Sequence, residues 1–579
     1  MKKSRINTII IITLLLSIAS LILEHGEVQT RQIFILTNIV DFTVLFLFIL
    51  ELILEIVIAP QKKRFFRENL LSVLFLGFFI VLFTINKMYL FSGTFQSYST
   101  LPYTLLILRN LFVLLKIFGR MRKLGALLQS VTLEPARTVL FIFILIIFTG
   151  AILLMLPFAS SSGKNLPFID AFFTSTSAVC VTGLIVVDTA TAFSTTGQLI
   201  ILTLIQIGGL GIMILSFFIV FVLRRKMSIN EKYLVSYVIS ERDMTTLRTT
   251  LKRIIALTFG IEGAGACILF IGFAGNNGFS LRTLFLSVFH AISAFCNAGF
   301  SLFSDSLEQY ASSGTVVITV AVLIILGGLS FFVILNSWGF LQSRFKNLIF
   351  HGKSRKDSLF LNSKVVLIGT IILIVLGMFL FYALEHTNTL ADMDVKTQYL
   401  SAFFQSVTLR TAGFNTIPFH SLVPAVYAFM MLFMFIGAAS GSTAGGIKIN
   451  SIAILLAYLK SVLTDQDNII LMNHSIRKEQ VLRAFIIFAF GATAVFGGFF
   501  LLLLFEKGPA VPLLFETVSA FGTVGLSAGV TPSLGIGGKI VIILLMFSGR
   551  LGPLTLLAAA TQKTRRLHID YPQGEITIG

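Results

Sequence analysis

Apolar runs of about 18 residues or more recur from Ile9 to Ala560, and that feature alone excludes most folds, because each run is long enough to cross the hydrocarbon of a bilayer. A secretory signal would be one short apolar stretch ahead of a soluble domain, so the recurrence predicts an all-α polytopic membrane protein. The composition agrees: 56% of residues are hydrophobic and only 12% charged, with a mean hydropathy of +0.94. A net charge of +18 would suit a nucleic-acid partner if the basic residues formed a soluble face, but they lie between the apolar runs and exclude that reading. The three cysteines, Cys180, Cys267 and Cys296, have neither zinc-ligand nor disulfide-framework spacing.

Apolar length places four spans near residues 7–24, 34–59, 70–92 and 100–118. Eight more fall near 137–157, 197–223, 254–274, 314–341, 364–385, 423–459, 483–505 and 536–561. Basic residues cluster at Lys2, Lys3 and Arg5, at 62–67 and 120–123, and in segments 224–253, 344–364, 477–483 and 563–566. The positive-inside rule assigns all of these to the cytoplasm, which leaves both termini inside.

Between successive spans of the second group lies a segment too short to cross, and these segments share a register. Phe173 precedes Gly183 by ten positions, as Phe289 precedes Gly299, Phe403 precedes Gly413 and Phe515 precedes Gly525. The glycines stand 116, 114 and 112 residues apart, and Ser177, Ser293 and Ser519 lie six before theirs. The unit reads as span, short helix, glycine loop, span. A helix of about ten residues rises roughly 15 Å, half the apolar thickness, so it enters and returns. Non-helical backbone at that depth must be buried in protein or line water, and four such loops around one axis would form a filter. A cation shedding its hydration shell needs oxygen ligands, which carbonyls supply when glycine allows the required conformation. The helix C-termini add partial negative charge, and acidic rings are absent from the loops, which favours K⁺ over Ca²⁺. Taken singly, each glycine also suits close helix packing.

The segments SAVCVTGL (177–184), VVDTATAF (186–193), QIGGLGIM (206–213), FCNAGF (295–300), TLRTAGFNT (408–416) and SAFGTVGLS (519–527) resemble the Trk/Ktr/HKT superfamily of K⁺ transporters, most closely the KtrB-type membrane subunit, over residues 137–565. The resemblance implies four pseudo-symmetric helix–pore loop–helix repeats around one pore, here preceded by four additional transmembrane helices. It implies a K⁺ filter of Val181, Thr182, Gly183, Asn297, Ala298, Gly299, Thr411, Ala412, Gly413, Thr523, Val524 and Gly525, binding the ion through backbone carbonyls. It also implies a plasma-membrane homodimer in contact with lipid, and an RCK-type cytosolic subunit that binds nucleotide. A serine at the first filter glycine accompanies Na⁺ permeation in this superfamily; Gly183 is retained here, while Leu409 stands where the family often has proline.

The stretch 422–459 is nearly twice the length of one crossing and contains GAASGSTAGGIK (437–448), rich in poor helix formers. It predicts a break facing a water-filled cavity, with no such insertion in the other repeats. A kinked, tightly packed helix is the structural alternative. The resemblance makes it a gate beneath the filter, comprising Gly437, Ser440, Gly441, Ser442, Thr443, Ala444, Gly445 and Gly446. Arg550, flanked by Gly549 and near Gly552 in MFSGRLGPLTL (546–556), is an intramembrane charge placed either to form a positive barrier and bond the interrupted segment or to join an ion pair. Arg410, three residues before Gly413, either braces its loop from behind or belongs to a buried ion pair.

Residues 1–125 are an accessory four-helix region, residues 126–565 the pore domain, and 566–579 a short cytoplasmic tail. The first region is voltage-sensor-like only in part, because its fourth span offers mainly Arg109 and Lys116 within the membrane. GGLG (208–211) lies inside an apolar span, without the strand, loop and helix of a nucleotide site, so the chain carries no organic cofactor. The expected function is K⁺ uptake through a channel-like filter, with Na⁺ as a candidate stimulating ion. An alternating-access cation symporter is the alternative, disfavoured because the repeats run parallel. No Ser/His, carboxylate-pair or ligand cluster suggests an enzyme.

Overall fold

The computed structural model describes residue 43 and residues 135–211, 247–350 and 358–552. The four expected N-terminal spans, residues 212–246 and the C-terminal tail lie outside these. The chain divides into two units, Met1–Leu133 with Leu156–Phe158, and Glu134–Met155 with Ala159–Gly579; the elements below belong to the second.

One order of elements occurs four times. The first set is α1 (Pro135–Met155), α2 (Phe168–Val179) and α3 (Thr195–Leu210); the second is α4 (Leu247–Asn277), α5 (Leu281–Phe295), α6 (Gly314–Gly328) and α7 (Phe331–Phe350). The third comprises α8 (Leu361–Glu385), α9 (Val395–Thr408), α10 (Pro424–Phe435) and α11 (Ile449–Leu463), and the fourth α12 (Lys478–Phe505), α13 (Ala510–Gly522) and α14 (Ile536–Leu551). A two-stranded hairpin, β1 (Ile470–Leu471) with β2 (His474–Ser475), joins α11 to α12. Met472 and Asn473 at its tip both have positive φ, the geometry of a tight two-residue turn.

The long helices are apolar on all sides, and α8 and α12 leave Ile371, Val375, Phe379, Phe496, Phe500 and Leu504 exposed. Three described helices are long and apolar enough to cross a bilayer, or four if α6 and α7 count as one bent span. The short helices α2, α5, α9 and α13 are buried toward their C-terminal halves instead. Phe173, Phe289 and Phe515 have no exposed surface; in the third set Phe404 takes the core position and Phe403 is half-buried. Ser280 starts α5 by accepting from Thr283 N at 3.1 Å, and Ser194 starts α3 by accepting from Gly197 N at 3.2 Å.

Packing between sets is cyclic. The helix that follows each loop contacts the short helix of the next set: α3 with α5, α6 with α9, α10 with α13, and α14 with α2. An ion pair from Lys539 Nζ at the start of α14 to Asp170 Oδ1 at the start of α2, 2.6 Å long, spans the closing contact.

The apolar stretch of the third set is interrupted between Phe435 and Ile449. Contrary to the expectation of a single interrupted helix, the second set is also broken, with a bend of 105° between α6 and α7. The break spans only Leu329 and Ser330; Ser330 Oγ accepts from Val333 N at 3.2 Å and restarts the helix.

Candidate functional site

Each short helix is followed by a loop in which two residues adopt left-handed backbone. Val181 and Gly183 have φ of 56° and 92°, Asn297 and Gly299 58° and 69°, Thr411 and Gly413 71° and 82°, and Thr523 and Gly525 50° and 90°. Glycine occupies this region freely, but a β-branched Val or Thr there is strained by roughly 1–3 kcal/mol, a cost that persists only where the surroundings impose it. That strain recurs at one register of three loops, while the second places there Asn297, a residue that tolerates left-handed backbone.

The four loops meet. A Cβ built on Gly299 would lie 2.6 Å from Ala412 O, and one on Gly413 2.7 Å from Val524 O. A Cβ on Gly183 would strike Ala298 O, and one on Gly525 would strike Thr182 O. Each glycine therefore faces the carbonyl oxygen that precedes the glycine of the next loop, and the fourth loop returns to the first. Such a cyclic relation places the oxygens of Thr182, Ala298, Ala412 and Val524 around one axis.

The loops are fastened to their own helices. Gly183 N donates to Ser177 Oγ at 3.0 Å and Gly525 N to Ser519 Oγ at 3.1 Å, while Ser293 Oγ donates to Phe300 O at 2.8 Å. Thr182 N, Ala298 N and Val524 N each reach back five residues, to Ser177 O, Ser293 O and Ser519 O at 2.7–2.8 Å. The third loop differs, since Val407 replaces the serine and Ala412 N bonds Thr408 O at 3.0 Å. With its amide turned to satisfy both ends, Asn297 donates to Ala294 O and Ile324 O, both at 3.1 Å.

Behind the loops, three glycines let the return helices approach. A Cβ on Gly208, Gly327 or Gly549 would collide with the carbonyl oxygen of Val179, Phe295 or Phe521 respectively, each four residues before its loop glycine. The GGLG run, which carries no nucleotide-site context, thus has a packing role. The repeated glycine was not recognised in the sequence, although its distance of 24 to 28 residues beyond the loop glycine is a usable signal.

Segment 436–448 sits against this layer. Gly437 N donates to Ile447 O at 2.8 Å, Ala439 N to Gly328 O at 3.1 Å, and Thr443 Oγ1 to Gly327 O at 2.9 Å and Phe295 O at 3.3 Å. A Cβ on Gly445 would meet the side chain of Thr523, so the segment touches the helix-proximal end of the fourth loop. Thr443, Ala444, Gly445 and Gly446 are buried, whereas Ser440 and Gly441 are exposed and Ser442 is half-buried. Lys448 Nζ donates to Ala444 O at 2.6 Å and Gly445 O at 3.0 Å. Arg550 donates through Nη1 to Thr443 O and through Nη2 to Gly208 O, joining this segment to α3. Arg410 is buried, and its Nε and Nη2 have no hydrogen-bond partner among the described residues. Cys180 and Cys296 occupy the corresponding places and are buried, while Cys267 is exposed.

Two groups overlooked in the sequence are buried carboxylates. Glu262 of α4 accepts from Gln206 Nε2 of α3 at 3.1 Å, and Glu516 of α13 holds the segment after Gly525. Their signal was a lone acid inside an apolar run.

Comparison with known proteins finds a match to the model described as TrkH, cation transport protein, over residues 139–566. The chain is 38% identical over 454 residues to Ktr system potassium uptake protein B of Bacillus subtilis (strain 168), covering 78% of this chain and 98% of that protein. It is 35% identical to the Vibrio alginolyticus protein of the same description, covering 77% and 95%, and 36% identical to potassium/sodium uptake protein NtpJ of Enterococcus hirae, covering 76% and 95%. The crystal structure of the potassium transporter TrkH from Vibrio parahaemolyticus superposes with a TM-score of 0.61 at 18% identity, covering 85% of this chain and 97% of that one, a likeness of fold. A family match over most of the sequence, together with relatives aligned almost end to end, shows that the chain belongs to the TrkH family of cation transport proteins.

Proposed function

We propose that the protein takes up K⁺ across the plasma membrane through the ring formed by its four loops. The observation that carries this reading is the cyclic contact between each loop glycine and the carbonyl oxygen of the next loop, because it brings four oxygens to one axis at the C-terminal ends of four short helices. Backbone oxygens replace hydration water for a cation of low charge density, and the helix termini add partial negative charge. The filter comprises Val181–Gly183, Asn297–Gly299, Thr411–Gly413 and Thr523–Gly525, and the pore domain spans 126–565.

Segment 437–446 acts as the gate in this reading. It lies against Thr523 and is tied down by Arg550, so displacing it would require those donors to release their carbonyls. Opening is controlled by a nucleotide-binding cytosolic subunit on the basic cytoplasmic face, and the chain works as a homodimer with both termini inside. Relatives described as Ktr system potassium uptake proteins support K⁺ as the cargo, and one described as a potassium/sodium uptake protein links the family to Na⁺; in this reading Na⁺ stimulates uptake. Purified protein in liposomes tests the reading. Flux of K⁺ and Rb⁺ well above Na⁺, increased by the cytosolic partner, is expected; obligatory stoichiometric coupling of K⁺ to a second cation would favour the symporter instead.

A further inference from the structure

On the face of α13 that carries Ser519, one turn earlier, stands Glu516, which is fully buried. Its Oε1 accepts from Ser527 Oγ at 2.6 Å and Ala528 N at 3.0 Å, and its Oε2 accepts from Thr531 Oγ1 at 2.6 Å. Ser527 Oγ in turn accepts from Gly529 N at 3.0 Å. All three donors to the carboxylate lie beyond Gly525, whereas Ser519 holds Gly525 itself. The fourth loop is thus fastened on both sides of its glycine to one helix face.

The second loop uses the same station. His290, nine residues before Gly299 as Glu516 is before Gly525, bonds through Nε2 to Ser301 Oγ at 3.0 Å and to Leu302 N at 3.4 Å. In the third, Gln405 Nε2 donates to Thr416 Oγ1 at 3.3 Å from the adjacent position. The first repeat has Thr174 there, and its hydroxyl turns back to Asp170 O of its own helix at 2.8 Å.

We propose that Glu516 is a specificity-determining positioning residue: it straps the outer limb of the fourth loop to its helix and keeps the carbonyl of Val524 from moving inward around an ion smaller than K⁺. The inference rests on the filter reading given above. Na⁺ is favoured when ring oxygens can contract, so a loop anchored away from the axis rejects it. The carboxylate suits the task because it only accepts, and both of its oxygens are engaged by the loop.

The test compares Glu516→Ala, Glu516→Gln, the double substitution Ser527→Ala with Thr531→Val, and Thr174→Ala as a control, in liposomes. The readouts are the K⁺/Na⁺ initial-flux ratio, the half-saturating K⁺ concentration and the maximal K⁺ rate. Glu516→Ala and the double variant are expected to lower the ratio about tenfold, chiefly by admitting Na⁺, with the K⁺ rate changed less than about threefold. Glu516→Gln, which keeps one acceptor oxygen, should fall between these and the parent, and Thr174→Ala should match the parent. A parental ratio in the double variant overturns the proposal, even where Glu516→Ala fails to fold. Equal losses in both Glu516 variants with a parental double variant also overturn it, since charge rather than the strap would then act. Failure of the underlying filter reading is distinguishable, because the unmodified protein would then show no preference for K⁺.

Discussion

Replacing Gly413 by alanine probes the ring at the loop that touches two neighbours. The added Cβ would lie 2.7 Å from Val524 O, 3.1 Å from Gly299 Cα and 3.3 Å from Gly525 Cα, where ordinary contact begins at 3.4 Å. Relief therefore requires Val524 O to retreat by about 0.7 Å, with smaller shifts of Gly525 in the same loop and of Gly299 in the second, in a layer packed too tightly to yield without consequence. The φ of 82° at Gly413 adds about 1–2 kcal/mol of left-handed strain for alanine. If as little as about 1.4 kcal/mol of this falls on K⁺ relative to Na⁺, the discrimination drops tenfold. The assay is paired K⁺ and Na⁺ flux in liposomes, with thermal unfolding of the same preparations. Gly163→Ala is the control: its φ of 69° imposes similar strain, but nothing lies within 4 Å of its Cβ. A parental K⁺/Na⁺ ratio in Gly413→Ala, or an equal loss in Gly163→Ala, would refute the reasoning.

Three further outcomes are expected. Arg550→Ala removes donors to Thr443 O and Gly208 O, each charge-assisted bond contributing about 1.5–3 kcal/mol, so leak rises and control by the proposed cytosolic subunit weakens; flux identical to the parent contradicts this. Deleting residues 438–446 raises K⁺ flux, and unchanged or abolished flux in correctly folded protein counts against the gate. Lys539→Met breaks the pair with Asp170, whose side chains are 14% and 15% exposed, and lowers stability by about 1 kcal/mol without altering the K⁺/Na⁺ ratio; a changed ratio would show that this contact shapes the filter.

The four loop glycines were legible in the sequence because their role is a backbone conformation that few other residues adopt, and because that role recurs at almost constant spacing. The interruption after Phe435 was legible for a different reason, since the apolar run exceeds one crossing and its centre is poor in helix formers. The left-handed conformations of Val181, Thr411 and Thr523 were not legible, because β-branched residues ordinarily signal the opposite and only the assembled ring imposes the strain. The bend at Leu329–Ser330 was hidden by continuous apolarity, although Gly327-Gly328 followed by a capping serine could have announced it. Glu516 and His290 have no partner visible in the sequence: their loop partners are eleven or more residues away and become neighbours only when the loop returns along its helix. The voltage-sensor-like features around Arg109 and Lys116 lie outside the described residues.

The central claim is that one cation is held by the carbonyl oxygens of Thr182, Ala298, Ala412 and Val524. Anomalous diffraction from crystals soaked in Tl⁺ or Rb⁺ measures this directly. Density is expected on the axis shared by the four oxygens, reduced by excess K⁺ and lost in Gly413→Ala. Strong, K⁺-competable density elsewhere, with none on that axis, would contradict the account.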